Sequence, residues 1–172
     1  MAVKTAHLTL DGEGLRFVAQ SGSGHSIVVD GSRGGSGPSP AELVPLAVAG
    51  CTAMDVISIL RKKREAVARY EIRATGEQQD ARPHAFTRID IVHVIEGEAI
   101  NVEAVRRAIE LSATKYCSVG ATLSTGLTAI HHAYVVRDGT GAEQTAEVIV
   151  TGPAETTEAL GARANPAEAT TD

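Results

Sequence analysis

The sequence predicts a single domain in which strands wrap around one long central helix. Three observations carry this expectation. Residues 39–65, SPAELVPLAVAGCTAMDVISILRKKRE, form an apolar run with a basic end. Short segments of alternating apolar and polar residues stand before and after that run. A second amphipathic stretch, 101–116, comes later in the chain. With 172 residues the chain can bury a real core in one domain.

Residues 6–10, 15–20 and 25–30 read as strands. In the second, Leu15, Phe17 and Ala19 alternate with Arg16, Val18 and Gln20. The stretches 11–14 and 21–24 have the glycine-rich composition of hairpin turns, so an antiparallel meander is expected. Residues 31–38, GSRGGSGP, are a flexible approach to the helix and match neither glycine-rich phosphate-binding pattern.

The central helix opens on a local signal. Ser39 suits the N-cap, Pro40 the first helical position and Glu42 the third, which is a capping box. Leu43, Ala47, Gly50, Met54, Ile57 and Leu60 recur at spacings of three and four and define the expected buried face. The run Arg61-Lys62-Lys63-Arg64 opposes the negative pole of a helix C-terminus. Pro45 lies past the first turn of a helix beginning at Pro40, so a kink is expected there. As one helix, residues 39–65 would be about 40 Å long.

Strands are then expected at 67–75 and 86–95, joined by the polar stretch 78–84. Asn101 caps a second helix to about Tyr116, with Val102, Val105, Ala108 and Ile109 on one face. A last strand is expected at 127–136. Beyond Arg137 the signals weaken. The domain is therefore drawn at 1–137, with an extension at 138–172 whose last part, Ala/Thr/Glu-rich from 151, is expected to be a disordered tail.

Composition narrows the function classes. A net charge of −5 and a pI near 5.7 give no general attraction to nucleic acid, and the absence of Trp argues against a base-stacking platform. No unbroken run of about 18 apolar residues suggests a membrane span. The N-terminus lacks the apolar core of a secretory signal, so a cytoplasmic protein is expected.

The residues that could carry chemistry are Cys51 and Cys117. As free cysteines in a reducing compartment they read as small buried hydrophobes, as a redox pair, or as half of a Cys-His nucleophile site. Zinc is disfavoured, because the nearest candidate ligands, His131 and His132, are adjacent on a strand and point to opposite faces.

Several segments together resemble one family. SPAELVPLAVAGCTAMDVISILRKKRE resembles the central helix of the OsmC/Ohr thiol peroxidases, and KYCSVGATLS (115–124) resembles their second cysteine segment. RFVAQSGSGHSIVVDG (16–31) and FTRIDIV (86–92) also fit, so the resemblance spans about 6–136 and is nearest the OsmC-like branch. It implies an α+β fold in which antiparallel sheets wrap around long central helices. It further implies an intertwined homodimer with active sites at the subunit interface. The implied activity is reduction of organic hydroperoxides without metal, haem or flavin. Cys51 would attack the peroxide, Cys117 would resolve the product as a disulfide, and an external dithiol would restore both.

The chemistry also needs a cation beside the thiolate and a carboxylate that orients it. Arg16 and Arg33 are the candidate cations, each otherwise a solvated surface residue. Glu42 is the candidate carboxylate. It stands nine residues before Cys51, about 900° of ideal helix and so on the opposite side, and its capping role is the competing reading. Asp55, one turn after Cys51, would oppose ionisation of a nearby thiol unless paired. A binding protein for a small hydrophobic ligand on the same fold is the alternative function, and a structural dimer with inert cysteines a third.

Overall fold

The computed structural model describes residues 2–32 and 35–153. It divides into two compact units, the first running to Ala47 and the second beginning at Val48.

The first unit holds the meander: β1 (Ala6–Leu10), β2 (Arg16–Ser21) and β3 (Ser26–Asp30). Both pairings are antiparallel, with Leu10 opposite Phe17 and Phe17 opposite Val29. That register gathers Leu8, Leu10, Phe17, Ala19, Ile27 and Val29 on one face, since cross-strand partners point the same way. Asp30 ends β3 and accepts the Ser32 and Ser36 N–H groups at 2.9 and 3.0 Å, fixing the chain at both ends of the glycine-rich loop.

The central helix α1 runs from Leu43 to Lys62, shorter than expected at its start. Glu42 does reach back to the Ser39 N–H at 2.7 Å, as a capping box requires, but the helix begins only after it. Pro45 then falls within the first turn, where a missing N–H leaves no bond unmade, so the expected kink has no cause. The far end closes in a Schellman motif. Arg64 adopts φ +62°, Glu65 N–H bonds Leu60 O at 3.0 Å and Arg64 N–H bonds Arg61 O at 3.0 Å. The Glu65 carboxylate accepts the Asn101 N–H at 2.9 Å, joining the end of α1 to the start of the next helix.

The buried face of α1 is not the one expected. Val48, Ala49, Thr52, Val56 and Leu60 are buried, whereas Met54 is 68 % exposed. The helix is apolar nearly all round, so periodicity alone does not select the stripe. By length and mean hydropathy (2.0) it could cross a membrane, but Val56 and Leu60 belong to a globular core.

That core lies in the second unit, on a sheet in the order β4-β5-β6-β7. β4 (Val67–Gln78) and β5 (Phe86–Gly97) form an antiparallel hairpin, and β6 (Ala129–Arg137) lies parallel to β5. The sheet is therefore mixed, not purely antiparallel, because the chain returns from β5 to β6 by a helical crossover. The crossover is α2 (Val102–Leu111), one π-helical turn (Ser112–Tyr116) and α3 (Ser118–Ser124). Asn101 caps α2, its side chain accepting the Glu103 and Ala104 N–H groups at 3.0 and 3.2 Å. The boundary drawn at Arg137 was too early. β7 (Glu143–Thr151) pairs antiparallel with β6 and completes the sheet. Its sequence, EQTAEVIVT, is too polar to signal a buried strand, and as an edge strand it need not be one. The rest of the expected tail, 154–172, lies outside the described residues.

Val56 and Leu60 of α1 and Ala104, Val105, Ala108 and Ile109 of α2 pack with Ile95, Tyr134 and Val136 of the sheet. On the same sheet face Tyr70 Oη and His93 Nδ1 share a 2.6 Å hydrogen bond, and the His93 and His132 rings stack at 5.9 Å. His131, on the other face, meets Glu147 at 3.4 Å. That face carries an ion ladder in which Glu96 bridges Arg69 and Arg137.

Burial, and then the neighbouring imidazole, push His93 down to about 3 and His132 down to about 4. Both are therefore neutral in the folded chain and become cationic in the unfolded chain below pH ~6.5. The unfolded state binds the extra protons, so stability is full above that pH and falls as pH drops toward 4. The loss is about 1.4 kcal/mol per pH unit for each histidine. Thermal melts between pH 7 and 4.5 should show this slope, and His132→Phe should reduce it by about half. An unchanged slope in the variant would remove His132 from the account.

Candidate functional site

Cys51 stands half-buried in the middle of α1, beside the fully buried Thr52. Cys117 comes from the crossover, between the π-turn and α3, and only 3 % of it is exposed. The fold sets the Cys117 thiol near enough to Cys51 for each to feel the other, and near Val48 of α1.

Local backbone geometry aims Cys117. An α-helix continued through Tyr116 would spend each N–H on the fourth residue back. Here the Cys117 N–H reaches five residues back to Ser112 O at 2.9 Å, and Cys117 itself is extended at φ −71°, ψ 97°. It caps α3 through sulfur: Sγ accepts the Gly120 N–H at 3.2 Å. Gly120 permits this approach, because a Cβ there would lie 3.3 Å from that sulfur and 3.8 Å from Val48 of α1.

The electrostatics of Cys117 follow from this placement. Burial is the main cause that pushes its thiol up to about 12; the Cys51 thiol and the Asp55 carboxylate add to the rise, and the Gly120 N–H opposes it. Cys117 is therefore a protonated thiol near neutral pH.

Asp55 lies one turn beyond Cys51 and is not left unpaired. Ser112 Oγ donates to its carboxylate at 3.0 Å, and Thr52 Oγ1 lies 2.9 Å from the same Ser112 oxygen. A cavity of about 230 Å³ opens farther along α1, lined by Asp55, Ser58, Ile59, Lys62 and Tyr116.

The other candidate residues have partners of their own. Arg16 on β2 pairs with Asp11 and donates from Nε to Ser36 Oγ at 2.8 Å. Glu42 accepts from the Ser39 hydroxyl and N–H, which hold its carboxyl below the ordinary carboxylate range. Arg33 lies outside the described residues. His131 and His132 point to opposite faces of β6, and among the described residues no three His, Cys, Asp or Glu side chains gather to hold a metal ion.

Sequence reasoning missed Thr52, Ser112 and Gly120. The first two carried a usable signal. Thr52 interrupts the apolar run of α1, and Ser112 continues the spacing of Val105, Ala108 and Ile109 on the buried face of α2. Polar residues on a buried stripe need a partner, and these two partner each other.

Comparison with known proteins adds the following. The family model described as "OsmC-like protein" matches residues 33–132. Protein YhfA of Escherichia coli (strain K12) is 44% identical over 124 residues, covering 72% of this chain and 92% of its own. A hypothetical protein of Aquifex aeolicus VF5 has a crystal structure at TM-score 0.71 and 28% identity, over 80% of this chain and 98% of that one. An organic hydroperoxide resistance protein from Elizabethkingia anophelis shares the fold, with TM-score 0.55 and 14% identity over 81% and 98% of the two chains.

The two thiols should differ in reactivity. With iodoacetamide at pH 8 in native buffer, Cys117 should be alkylated at least tenfold more slowly than Cys51, since it is buried and protonated. Peptide-resolved mass spectrometry measures both rates, and equal rates would contradict the burial described.

Proposed function

The chain belongs to the OsmC-like family, and on that premise we propose that it is a cysteine-based peroxidase reducing organic hydroperoxides to alcohols. The observation that carries the proposal is the placement of Cys117 close to α1, where Cys51, from a distant segment, is one of the groups acting on its thiol. A half-buried thiol with a buried thiol near it is what a two-cysteine peroxidase cycle requires.

In this reading the Cys51 thiolate attacks one peroxide oxygen and the O–O bond breaks. The departing alkoxide takes a proton and leaves as alcohol, and Cys51 becomes a sulfenic acid. The Cys117 thiol then attacks the Cys51 sulfur. The S–O bond breaks, hydroxide leaves with the Cys117 proton as water, and a disulfide forms. An external dithiol reduces that disulfide, so the cycle needs no metal, haem or flavin. Half-burial suits Cys51 to meet substrate, and near-complete burial suits Cys117 to wait as the resolving thiol. By residue type Arg16 or Arg33 is the proposed cation and Glu42 the proposed carboxylate, and for these roles Arg16 would have to release Asp11 and Glu42 its Ser39 bonds. A reducing, cytoplasmic setting keeps both thiols available between turnovers.

We also propose a homodimer. Leu46 is 63 % exposed and only 28% of the apolar window of α1 is buried within one chain. Leu8, Leu10 and Ile27 on the apolar face of the meander are exposed as well. A second copy would cover this much apolar surface with an interface of ordinary size or larger. Sedimentation should find a dimer; a monomer at every concentration tested would end this proposal.

Activity assays divide the roles. Cys51→Ser should abolish peroxide consumption with a dithiol. Cys117→Ser should permit one attack and leave Cys51 as sulfenic or higher acids, visible by mass spectrometry. Oxidation that falls first on Cys117 would reverse the assignment.

Substrate preference follows from the wall beside Cys51. Ala47, Gly50 and Met54 are small or apolar and not buried, and no charged residue lies between Leu43 and Met54. Each buried methylene of a substrate gains about 0.8 kcal/mol, so four gain about 3 kcal/mol, on the order of a hundredfold if carried into the transition state. Cumene hydroperoxide should therefore show a higher kcat/KM than hydrogen peroxide. The reverse order would refute the apolar wall as a selectivity device.

A further inference from the structure

Ser112 is bonded to both cysteine segments at once. Its carbonyl accepts the Cys117 N–H at 2.9 Å and closes the π-turn. Its hydroxyl is tied to α1 at two points, Thr52 and Asp55, which stand one residue and one turn after Cys51. The direction of these bonds can be worked out. The Ser112 hydroxyl has one proton and gives it to the Asp55 carboxylate, so Thr52 must be the donor in the Thr52–Ser112 bond. The chain of bonds thus runs from the Thr52 hydroxyl to Ser112 and from Ser112 to Asp55.

Thr52 and Ser112 are both fully buried. Polar groups in such a place are costly unless every bond is made, and once made they fix one geometry. We propose that Thr52, Ser112 and Asp55 form a positioning clamp that holds the π-turn against the Cys51 turn of α1 and so sets how readily Cys51 and Cys117 join as a disulfide. The inference rests on the redox-pair reading above. None of the three residues is assigned a bond to substrate; they act through the placement of the two sulfurs. Holding two thiols in one arrangement raises the effective concentration of each at the other, as any intramolecular constraint does.

The test is a thiol–disulfide equilibrium that needs no peroxide. Full-length protein is equilibrated at pH 7 without oxygen in glutathione buffers of graded ratio, quenched with acid, and read by mass spectrometry. The reaction is protein dithiol plus glutathione disulfide giving protein disulfide plus two glutathione thiols, so electrons and protons balance. Ser112→Ala and Asp55→Ala should each lower the effective concentration about tenfold, which raises the potential by about 30 mV. Asp55→Asn should stay near wild type, because its amide oxygen still accepts the Ser112 hydroxyl. Asp55 is only half-buried, so its variants keep the test open should Ser112→Ala not fold. A role in bulk stability alone would lower the melting temperature and leave the potential where it was, and that result overturns the clamp. So does Asp55→Asn behaving like Asp55→Ala, since charge and not the hydrogen bond would then be responsible. Wild-type protein that forms no internal disulfide in any buffer overturns the redox-pair reading together with the clamp, and is distinguishable from both other failures.

Discussion

The bond from Cys117 N–H to the Ser112 carbonyl, one residue longer than an α-helical bond, organises the site. It widens the end of α2 by one residue before the chain turns into α3. Without that widening, Cys117 would continue the helical spiral and its N–H would pair with the Ala113 carbonyl. With it, Cys117 leaves the helix in an extended conformation and can cap the next one through sulfur. π-Turns cost hydrogen-bond geometry and concentrate where function requires a side chain to be re-aimed. Here the re-aimed side chain is a thiol, and its neighbour is the thiol of α1.

The second constraint is the near-uniform apolar surface of α1. It leaves the helix free to present several stripes to a core, and the stripe that is buried runs through Val48, Thr52, Val56 and Leu60. Cys51 lies at the margin of that stripe, which explains its half-burial. Thr52, the one polar member of the stripe before Leu60, fixes the rotation by requiring a hydroxyl partner at that point.

Much of this architecture was legible in the sequence, and the losses have physical reasons. The strands β1 to β6 and both long helices carry strong periodicity or caps, and Asn101 marks the start of α2 directly. β7 was missed because an edge strand with one solvent-facing side need not be apolar. The buried face of α1 was misplaced because a helix apolar all round has little amphipathic contrast, so Gly50 and Met54 fitted a periodic pattern as well as Val48 and Val56. Both cysteines could be named in advance. Their pairing was implied by the resemblance and not by their spacing, because the aim of Cys117 depends on one long backbone bond that no residue type announces. Arg16 and Glu42 illustrate the opposite limit. Their residue types suited the chemistry, and the structure gives each a local partner that sequence alone could not supply.

The two cysteines also illustrate how a fold can divide reactivity between identical side chains. Cys117 has a hydrogen-bond donor on its sulfur, which by itself favours the thiolate. Burial outweighs that donor, so the sulfur remains a thiol and serves as a helix cap. A capping thiol of this kind is held in place by a bond that it must release or share when it bonds to another sulfur. The Gly120 N–H is therefore a restraint on Cys117 in the reduced state, whereas the Ser112 connections bring its segment toward α1. In the proposed redox cycle, the ease of joining Cys51 to Cys117 would reflect the balance of these opposed backbone and side-chain bonds, and not the proximity of the sulfurs alone.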